Sequence, residues 1–307
     1  KVKMKRRHFL KKIKFSSIYG LTLPYFINDD YFDNGLRKIT ILHTNDVHSH
    51  IDPFPKNDPL NPSGGGVIAR ANLINLVKKD NPHTLVLDAG DVFQGTPYFN
   101  FFGGELELKL MSKMGYNAST LGNHEFDNGM EKLSKVLKHA NFSFLNSNYT
   151  LKSTPLENKI KSHEIFNING IKIGVFGLGI ELEGLVEKKL YKGIKYLNPI
   201  EISKDISDDL KYNHNCDLII CLSHLGFSYS KDKNIMCDLI LAKQTKNIDL
   251  IIGGHTHTFL DEPVKVKNLE NKDVIINQVG CFGINLGKID FYFSENNKHQ
   301  EGMSINI

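Results

Sequence analysis

The chain has 307 residues, 40% of them hydrophobic, and contains no low-complexity block, so its length and composition predict a packed core. The net charge of +4 comes from the first fourteen residues, which hold eight Lys or Arg and no acid, whereas the remainder holds 30 basic and 34 acidic residues. The body is therefore mildly acidic, and its charge argues against a nucleic-acid partner.

The N-terminal segment is basic and then modestly apolar. Arg6-Arg7 is followed by an apolar pair and by a stretch that Lys14 interrupts, a pattern that resembles a twin-arginine export signal. A basic tail without a targeting role is the alternative. The stretch is too short for a stable membrane span, and no A-x-A-like cleavage site follows it. We expect residues 1–36 to be an export signal and linker, which places the protein in the periplasm, or at the membrane if the segment stays uncleaved.

From residue 37 onward, short apolar runs rich in β-branched residues alternate with helix-like segments. The runs, which predict strands, cover residues 38–50, 84–91, 118–125, 218–226 and 248–257. The helix-like segments cover residues 66–79, 105–114, 128–139, 199–212 and 234–246. Strands that alternate with helices predict an α/β fold with largely parallel pairing.

Two regions break this alternation. Residues 163–179 predict a hairpin with Asn169-Gly170 as its two-residue turn. The C-terminal third has strand-like alternation and turn residues but predicts no helix. We therefore expect one body with a mixed β core of two sheets and helices outside.

Each of the five apolar runs ends in polar side chains that could bind metal. They are Asp46 and His48, Asp91, Asn123 and His124, His224, and His255 with His257. The carboxyl ends of strands in an open α/β sheet border one crevice, so we expect these residues to converge. Oxygen and imidazole ligands without thiolate favour zinc, manganese or iron. One ion needs three or four protein ligands, so the number of candidates indicates two ions that share a bridging carboxylate. Alone, each motif could be a turn or a core histidine; five at matching positions favour a site.

The spelling of these motifs is more specific. HTNDVHSH, LDAGDVFQGTP, LGNHEFDNG, LSHLG and GGHTHTF together resemble the calcineurin-like metallophosphoesterases, and within them the catalytic domain of the 5′-nucleotidases. The resemblance runs from about Ile39 to Phe293, and residues 277–291 resemble the strand pair that closes this domain. It implies a four-layer αββα sandwich of two mixed β-sheets flanked by helices over residues 37–307. It also implies a two-metal phosphoric ester hydrolase that cleaves phosphate monoesters of nucleotides with a metal-activated hydroxide.

The resemblance also implies roles for individual residues. The first ion would be held by Asp46, His48, Asp91 and His257, and the second by Asp91, Asn123, His224 and His255. His124 would stay off the metals and face the substrate. Asp127, three residues on, would accept a ring N–H from His124 and fix its orientation.

Several other residues keep open or ordinary roles at this stage. His50 flanks the first motif and could contact the ligands from outside, so its role stays open. Arg70 is either a site residue or a helix residue that covers the core. Glu125 has no role in this scheme and is expected to be a cap or a surface group. His163 and His214 have polar sequence neighbours and are expected at the solvated surface.

The sequence leaves the substrate open. The two-lobed 5′-nucleotidases carry a C-terminal domain that stacks aromatic side chains on the base, whereas this sequence ends at Ile307. A separate polypeptide could supply that domain. The alternative enzymatic functions are a phosphodiesterase acting on 2′,3′-cyclic nucleotides and a pyrophosphohydrolase of the UDP-sugar type. The non-enzymatic alternative is an inactive scaffold subunit, which the complete set of candidate ligands disfavours.

Overall fold

A computed structural model describes residues 36–232, 234–294 and 298–307. The expected export signal lies outside these residues and stays a prediction. Within the described ranges the chain forms twelve strands and six α-helices, joined by loops, short 3-10 turns and one π-helical turn.

The first sheet has six strands in the order β12-β11-β1-β2-β3-β4. The four strands β1 to β4 are parallel, while β11 and β12 add antiparallel pairs at one side. The strands are β1 (Arg37–Thr44), β2 (Thr84–Asp88), β3 (Ala118–Thr120), β4 (Ser143–Leu145), β11 (Asn285–Phe293) and β12 (Lys298–Asn306).

The second sheet also has six strands, in the order β5-β6-β7-β8-β10-β9. Its four central strands are parallel, and the two outer strands pair antiparallel. The strands are β5 (His163–Ile168), β6 (Ile171–Leu178), β7 (Leu218–Ser223), β8 (Leu250–Gly253), β9 (Val264–Lys267) and β10 (Asp273–Asn277). All six residues of β7 are buried, as expected for a strand that is covered on both faces.

The helices lie on the outer faces of the two sheets. They are α1 (Val67–Asp80), α2 (Pro97–Phe102), α3 (Glu105–Met114), α4 (Gly129–Val136), α5 (Pro199–Asp208) and α6 (Asp238–Gln244). Gly115 ends α3 in the left-handed conformation, and the Asn198 side chain caps α5 by accepting from the Ile200 N–H. Among the described helices, none has the length and hydrophobicity that a membrane crossing would need.

Three apolar layers hold these elements together. Two outer layers join each sheet to its helices. The middle layer packs the sheets face to face and includes Ile39, Ile41, Leu85, Leu87, Val175, Ile220, Leu222 and Leu250. The order helix, sheet, sheet, helix confirms the predicted α/β sandwich of two mixed sheets.

Most predicted elements are present, with differences at their ends. The hairpin with its Asn169-Gly170 turn and helix 105–114 form as predicted. The helix predicted over residues 234–246 is shorter, because Cys237 has an extended backbone and α6 begins only after it. Neither α2 nor the three-residue β4 was predicted, since both are too short to show a helical or strand period.

The prediction for residues 277–291 is wrong in one respect. The two strands of this segment do not pair, because β10 belongs to the second sheet and β11 to the first. Residues 278–284 therefore cross between the sheets, and the Phe282 N–H donates to the Asp46 carbonyl oxygen at 2.7 Å. This crossing segment ties the end of β1 to the second sheet.

The layer between the sheets should dominate stability. Ile220 is fully buried there, so Ile220→Ala should lower the free energy of unfolding by about 2–5 kcal/mol in urea titrations. The matched control is Leu60→Ala at an 84% exposed position, which should change it by less than about 0.5 kcal/mol. Equal effects of the two substitutions would contradict this account of the core.

Candidate functional site

The carboxyl ends of five parallel strands meet at one cleft. The first sheet contributes the residues that follow β1, β2 and β3, and the second sheet contributes those that follow β7 and β8. The cleft has a volume of about 440 Å³, and its walls include His48, Asp91, Asn123, His124, His255 and His257. The sequence-predicted residues from separate strands thus lie together.

A first group of ligand-type atoms contains Asp46, His48 and His257, all within 4.8 Å of one another. The Nε2 atoms of His48 and His257 are 3.0 Å apart, and Asp46 Oδ1 lies 3.4 Å from His257 Nε2. His48 Nδ1 is 3.2 Å from the Phe93 carbonyl oxygen, which fixes this nitrogen as the N–H donor. The Nε2 lone pair of His48 is then directed toward the group.

A second group contains Asp91, His224 and His255, again within 4.8 Å. Asp91 Oδ2 lies 3.0 Å from His224 Nε2, and Asn123 Oδ1 lies 3.0 Å from His255 Nδ1. Asp91 also belongs to a group with His48 and His124. Its carboxylate therefore lies between the two groups.

The arrangement around His224 tests whether these residues suit a cation. His224 is fully buried, and its Nδ1 is 2.7 Å from the Ala89 carbonyl oxygen, so Nδ1 carries the hydrogen of the neutral ring. In this neutral ring, Nε2 carries a lone pair and lies 3.0 Å from the Asp91 carboxylate. A lone pair that faces a carboxylate is repelled unless a positive charge lies between them. The donor set therefore fits a divalent metal ion.

The pKa values of the candidate ligands show that the buried carboxylates favour positive charge beside them. Burial lowers the pKa of His224, but the Asp91 carboxylate outweighs this effect and raises the pKa to about 10. Burial raises the pKa of Asp91, and the charge of His224 more than reverses this, so the pKa lies well below its usual range. A hydrogen bond to Asp46 raises the pKa of His257 to about 10, whereas burial lowers that of His255 to about 4. Without a bound cation, protons on His224 and His257 balance the carboxylates.

The backbone of the candidate ligands is strained. Five of them have a left-handed φ, which is uncommon outside glycine and costs on the order of 1–3 kcal/mol each. They are Asp46 (50°), His48 (49°), Asp91 (54°), His255 (69°) and His257 (50°). Hydrogen bonds between the loops maintain this conformation: the Asp46 N–H donates to Gly90 O at 2.9 Å and the His48 N–H to Asp91 O at 3.0 Å. Such strain is concentrated at functional sites because the surrounding structure must support it.

His124 and Asp127 form the expected pair at the wall of the cleft. His124 Nδ1 is 2.8 Å from Asp127 Oδ2, and both side chains are about 30% exposed. Burial lowers the pKa of His124, and the hydrogen bond to Asp127 more than offsets this, so the pKa is raised. The His124 backbone N–H also donates to Asp91 Oδ1 at 2.8 Å, which holds the pair next to the bridging carboxylate.

The expectation that Glu125 is a surface group is wrong. The short 3-10 turn His124–Phe126 directs this side chain inward, where it is 1% exposed. Its two oxygens accept hydrogen bonds from the N–H groups of Gly122 (2.6 Å), Asp91 (3.0 Å) and Val92 (2.8 Å). Burial, followed by the charge of Asp91, raises the pKa of Glu125 to about 7. Glu125 thus holds the loop that carries Asp91.

Further supporting residues were missed from the sequence. The Asn45 side chain donates to Asp46 Oδ2 at 2.6 Å and accepts from the Val279 N–H of the crossing segment at 3.0 Å. Asp88 is fully buried and accepts from the Gly90 N–H and from two side-chain hydroxyls. Burial raises the pKa of Asp88 to about 6. Asn45 and Asp88 lie one and three residues before a candidate ligand, which is the only sequence signal for either.

His50 and Arg70 both lie beside the first ligand loop and line one internal cavity. The His50 ring stacks on Phe54 at 5.2 Å and lies 4.3 Å from the ring of Phe282 at the cleft wall. Arg70 is 4% exposed and lines this cavity, of about 20 Å³, together with Glu107. Because Arg70 is buried in α1, we interpret it as a helix residue that covers the core rather than as a residue of the site.

Known proteins place this architecture in a family. Residues 39–259 match the model of the calcineurin-like phosphoesterases. The chain is 32% identical to the trifunctional nucleotide phosphoesterase protein YfkN of Bacillus subtilis, over 91% of this chain and 20% of that protein. It is 33% identical to the snake venom 5′-nucleotidase of Gloydius brevicauda, over 85% of this chain and 46% of that protein. The chain thus spans half or less of these relatives.

A solved structure supports the same conclusion. The 5′-nucleotidase precursor from Thermus thermophilus superposes with a TM-score of 0.79 at 30% identity, over 88% of this chain and 55% of that one. This chain belongs to the calcineurin-like phosphoesterase family, whose members are phosphoric ester hydrolases with a divalent metal centre. The family and the enzyme class predicted from the motifs are confirmed.

The buried contacts of Glu125 predict a large effect of a small change. Glu125→Gln keeps the shape, but its amide nitrogen cannot accept a hydrogen bond, so at least one buried N–H loses its partner. We expect a loss of about 1–3 kcal/mol in the free energy of unfolding. Glu183→Gln, at an exposed position, should stay within about 0.5 kcal/mol. If urea titrations give the same value for both variants, Glu125 does not hold the Asp91 loop.

Proposed function

We propose that this member of the calcineurin-like phosphoesterase family is a two-metal phosphohydrolase of the 5′-nucleotidase type, which releases phosphate from nucleotide monoesters. The observation that carries the proposal is the position of Asp91, whose carboxylate belongs both to a group with His48 and to a group with His224 and His255. A carboxylate in that position can bridge two ions, whereas one ion would leave several of the converging side chains without a role.

Each proposed ion has four ligands. Asp46, His48, Asp91 and His257 would hold the first, and Asp91, Asn123, His224 and His255 the second. The ligand atoms are oxygen and imidazole nitrogen, which suits zinc, manganese or iron. The outer contacts support these assignments, since Nδ1 of both His48 and His224 lies within hydrogen-bonding distance of a backbone carbonyl. When bound, two such ions would polarise a phosphoryl group and lower the pKa of a coordinated water.

His124 is the proposed catalytic side chain. Asp127 accepts the proton of Nδ1 and so fixes the ring orientation, which leaves Nε2 as the nitrogen that can contact a substrate oxygen. From this position His124 would bind the phosphoryl oxygens and donate a proton to the departing alkoxide. The His124 ring lies 5.2 Å from that of His48, next to one of the proposed metal ligands.

The nucleotide substrate is supported by the names of the relatives. They include 5′-nucleotidases, an NAD 5′-nucleotidase from Haemophilus influenzae and a trifunctional nucleotide phosphoesterase. The last name keeps phosphodiester substrates as a second candidate. Both substrate classes would use the same metal ligands, so the cleavage assay must separate them.

The function is tested by phosphate release from AMP and from bis-p-nitrophenyl phosphate with manganese or zinc. We expect release from AMP, and His124→Ala should lower kcat by about 10²–10⁴-fold because it removes the proton donor. His299→Ala, with a side chain 67% exposed on β12, is the matched control and should retain full activity.

The assay can contradict the proposal in separate ways. Turnover of the diester alone would assign a phosphodiesterase. Equal kcat for His124→Ala and His299→Ala would remove His124 from the mechanism. Unchanged metal content in Asp91→Asn, measured by mass spectrometry of bound metals, would overturn the bridging role of Asp91.

A further inference from the structure

A second cluster of metal-type side chains lies outside the cleft. His163 at the start of β5, and Asp209 and His214 after α5, place ligand-type atoms within 4.8 Å of one another. His214 Nε2 lies 3.4 Å from Asp209 Oδ2, and the rings of His163 and His214 have their centroids 5.6 Å apart. These two histidines, which sequence reasoning left as solvated surface residues, therefore face each other across two separate elements.

An unusual backbone turn creates this cluster. Residues Asp209–Asn213 form a π-helical turn, and the His214 N–H donates to the Asp209 carbonyl oxygen at 3.1 Å. In an α-helix, residues five apart are rotated by about 140° and face different directions, since a turn takes 3.6 residues. The wider π turn brings positions i and i+5 to the same face, and such turns are frequent at functional sites.

Hydrogen bonds from neighbouring residues orient the Asp209 and His163 side chains. The Asn213 side chain donates to Asp209 Oδ1 at 2.7 Å, which leaves Oδ2 directed toward His214. The Ser162 hydroxyl lies 3.1 Å from His163 Nδ1 and can accept its proton, so the lone pair would be on Nε2. Outer hydrogen bonds of this kind accompany metal-binding carboxylates and imidazoles.

The geometry suits a tetrahedral ion. Ligand atoms about 2.1 Å from a tetrahedral zinc are separated by about 3.4 Å, which is the distance between Asp209 Oδ2 and His214 Nε2. These two side chains are about 40% exposed, so an ion can enter from solvent and water can complete its coordination.

A simple hydrogen-bonded pair explains less. A hydrogen bond between His214 and Asp209 would account for that contact, but it gives no reason for a second imidazole, that of His163, with its ligand atom within 4.8 Å of theirs.

We propose that His163, Asp209 and His214 form a peripheral site for a borderline divalent metal ion, zinc by preference. The ion would link the start of β5 to the turn that follows α5, two segments that are far apart in sequence. Because it binds only the folded arrangement, it should stabilise the protein increasingly as the logarithm of its free concentration rises. The site is independent of the proposed phosphohydrolase function.

The experiment counts zinc bound to the whole chain after equilibrium dialysis against micromolar zinc. The double variant His163→Gln/His214→Gln should bind one ion fewer per chain than the wild type and should keep its phosphatase activity. His299→Gln is the control, because His299 lies 3.7 Å from Glu301 but belongs to no group of three such residues in the described chain. It should lose no zinc.

Two further measurements keep the result interpretable. Zinc should raise Tm less in the double variant than in the wild type, and Asp209→Asn should lose the same ion with a smaller change in shape. Equal zinc content in the wild type, the double variant and Asp209→Asn would overturn the proposal. Because the cleft residues are unchanged in all of them, this outcome is separate from any failure of nucleotide cleavage.

Discussion

The burial of two facing carboxylates, Asp46 and Asp91, is the constraint on which the rest of the site depends. Both are almost completely removed from water, and an ionised carboxylate in such a place must be paired or must bind a metal ion. The imidazoles of His224 and His257 lie against them for this reason. Neutral donors such as the Asn45 amide satisfy the remaining oxygens.

That constraint also explains the backbone around the ligands. A side chain at Gly122 would overlap with Asp91 Oδ1, and one at Gly254 would lie 2.8 Å from His224 Nδ1, so both positions leave room for the ligands. The left-handed φ angles at the strand ends turn side chains back toward the shared centre. Local strain is thus supported in part by hydrogen bonds that run between loops.

The sequence predicts the sandwich and the converging residues because strand ends are visible as apolar runs followed by polar clusters. His224 could be anticipated in this way from five residues of sequence. Glu125 could not, because its environment depends on the direction of a 3-10 turn that has no local pattern. The crossing segment 278–284 was also hidden, since strand periodicity does not reveal which sheet a strand joins.

His163 and His214 also show what sequence analysis cannot predict. His163 and His214 are 51 positions apart, and only the π turn and the packing of α5 over the second sheet bring them together. A residue-by-residue interpretation assigns each to solvent, whereas both are partly buried in the structure. Such an interpretation cannot show that the two rings lie next to each other in the folded chain.

Because three of the five ligand-bearing strands belong to one sheet and two to the other, the centre is only as well formed as the contact between the sheets. Substitutions in that middle layer should therefore disturb the site even at positions that do not contact its ligands. A survey of inactive variants would recover methyl-sized changes deep in this layer beside the histidines of the cleft. Such variants would lose activity because the packing between the sheets is disturbed, although their catalytic residues are unchanged.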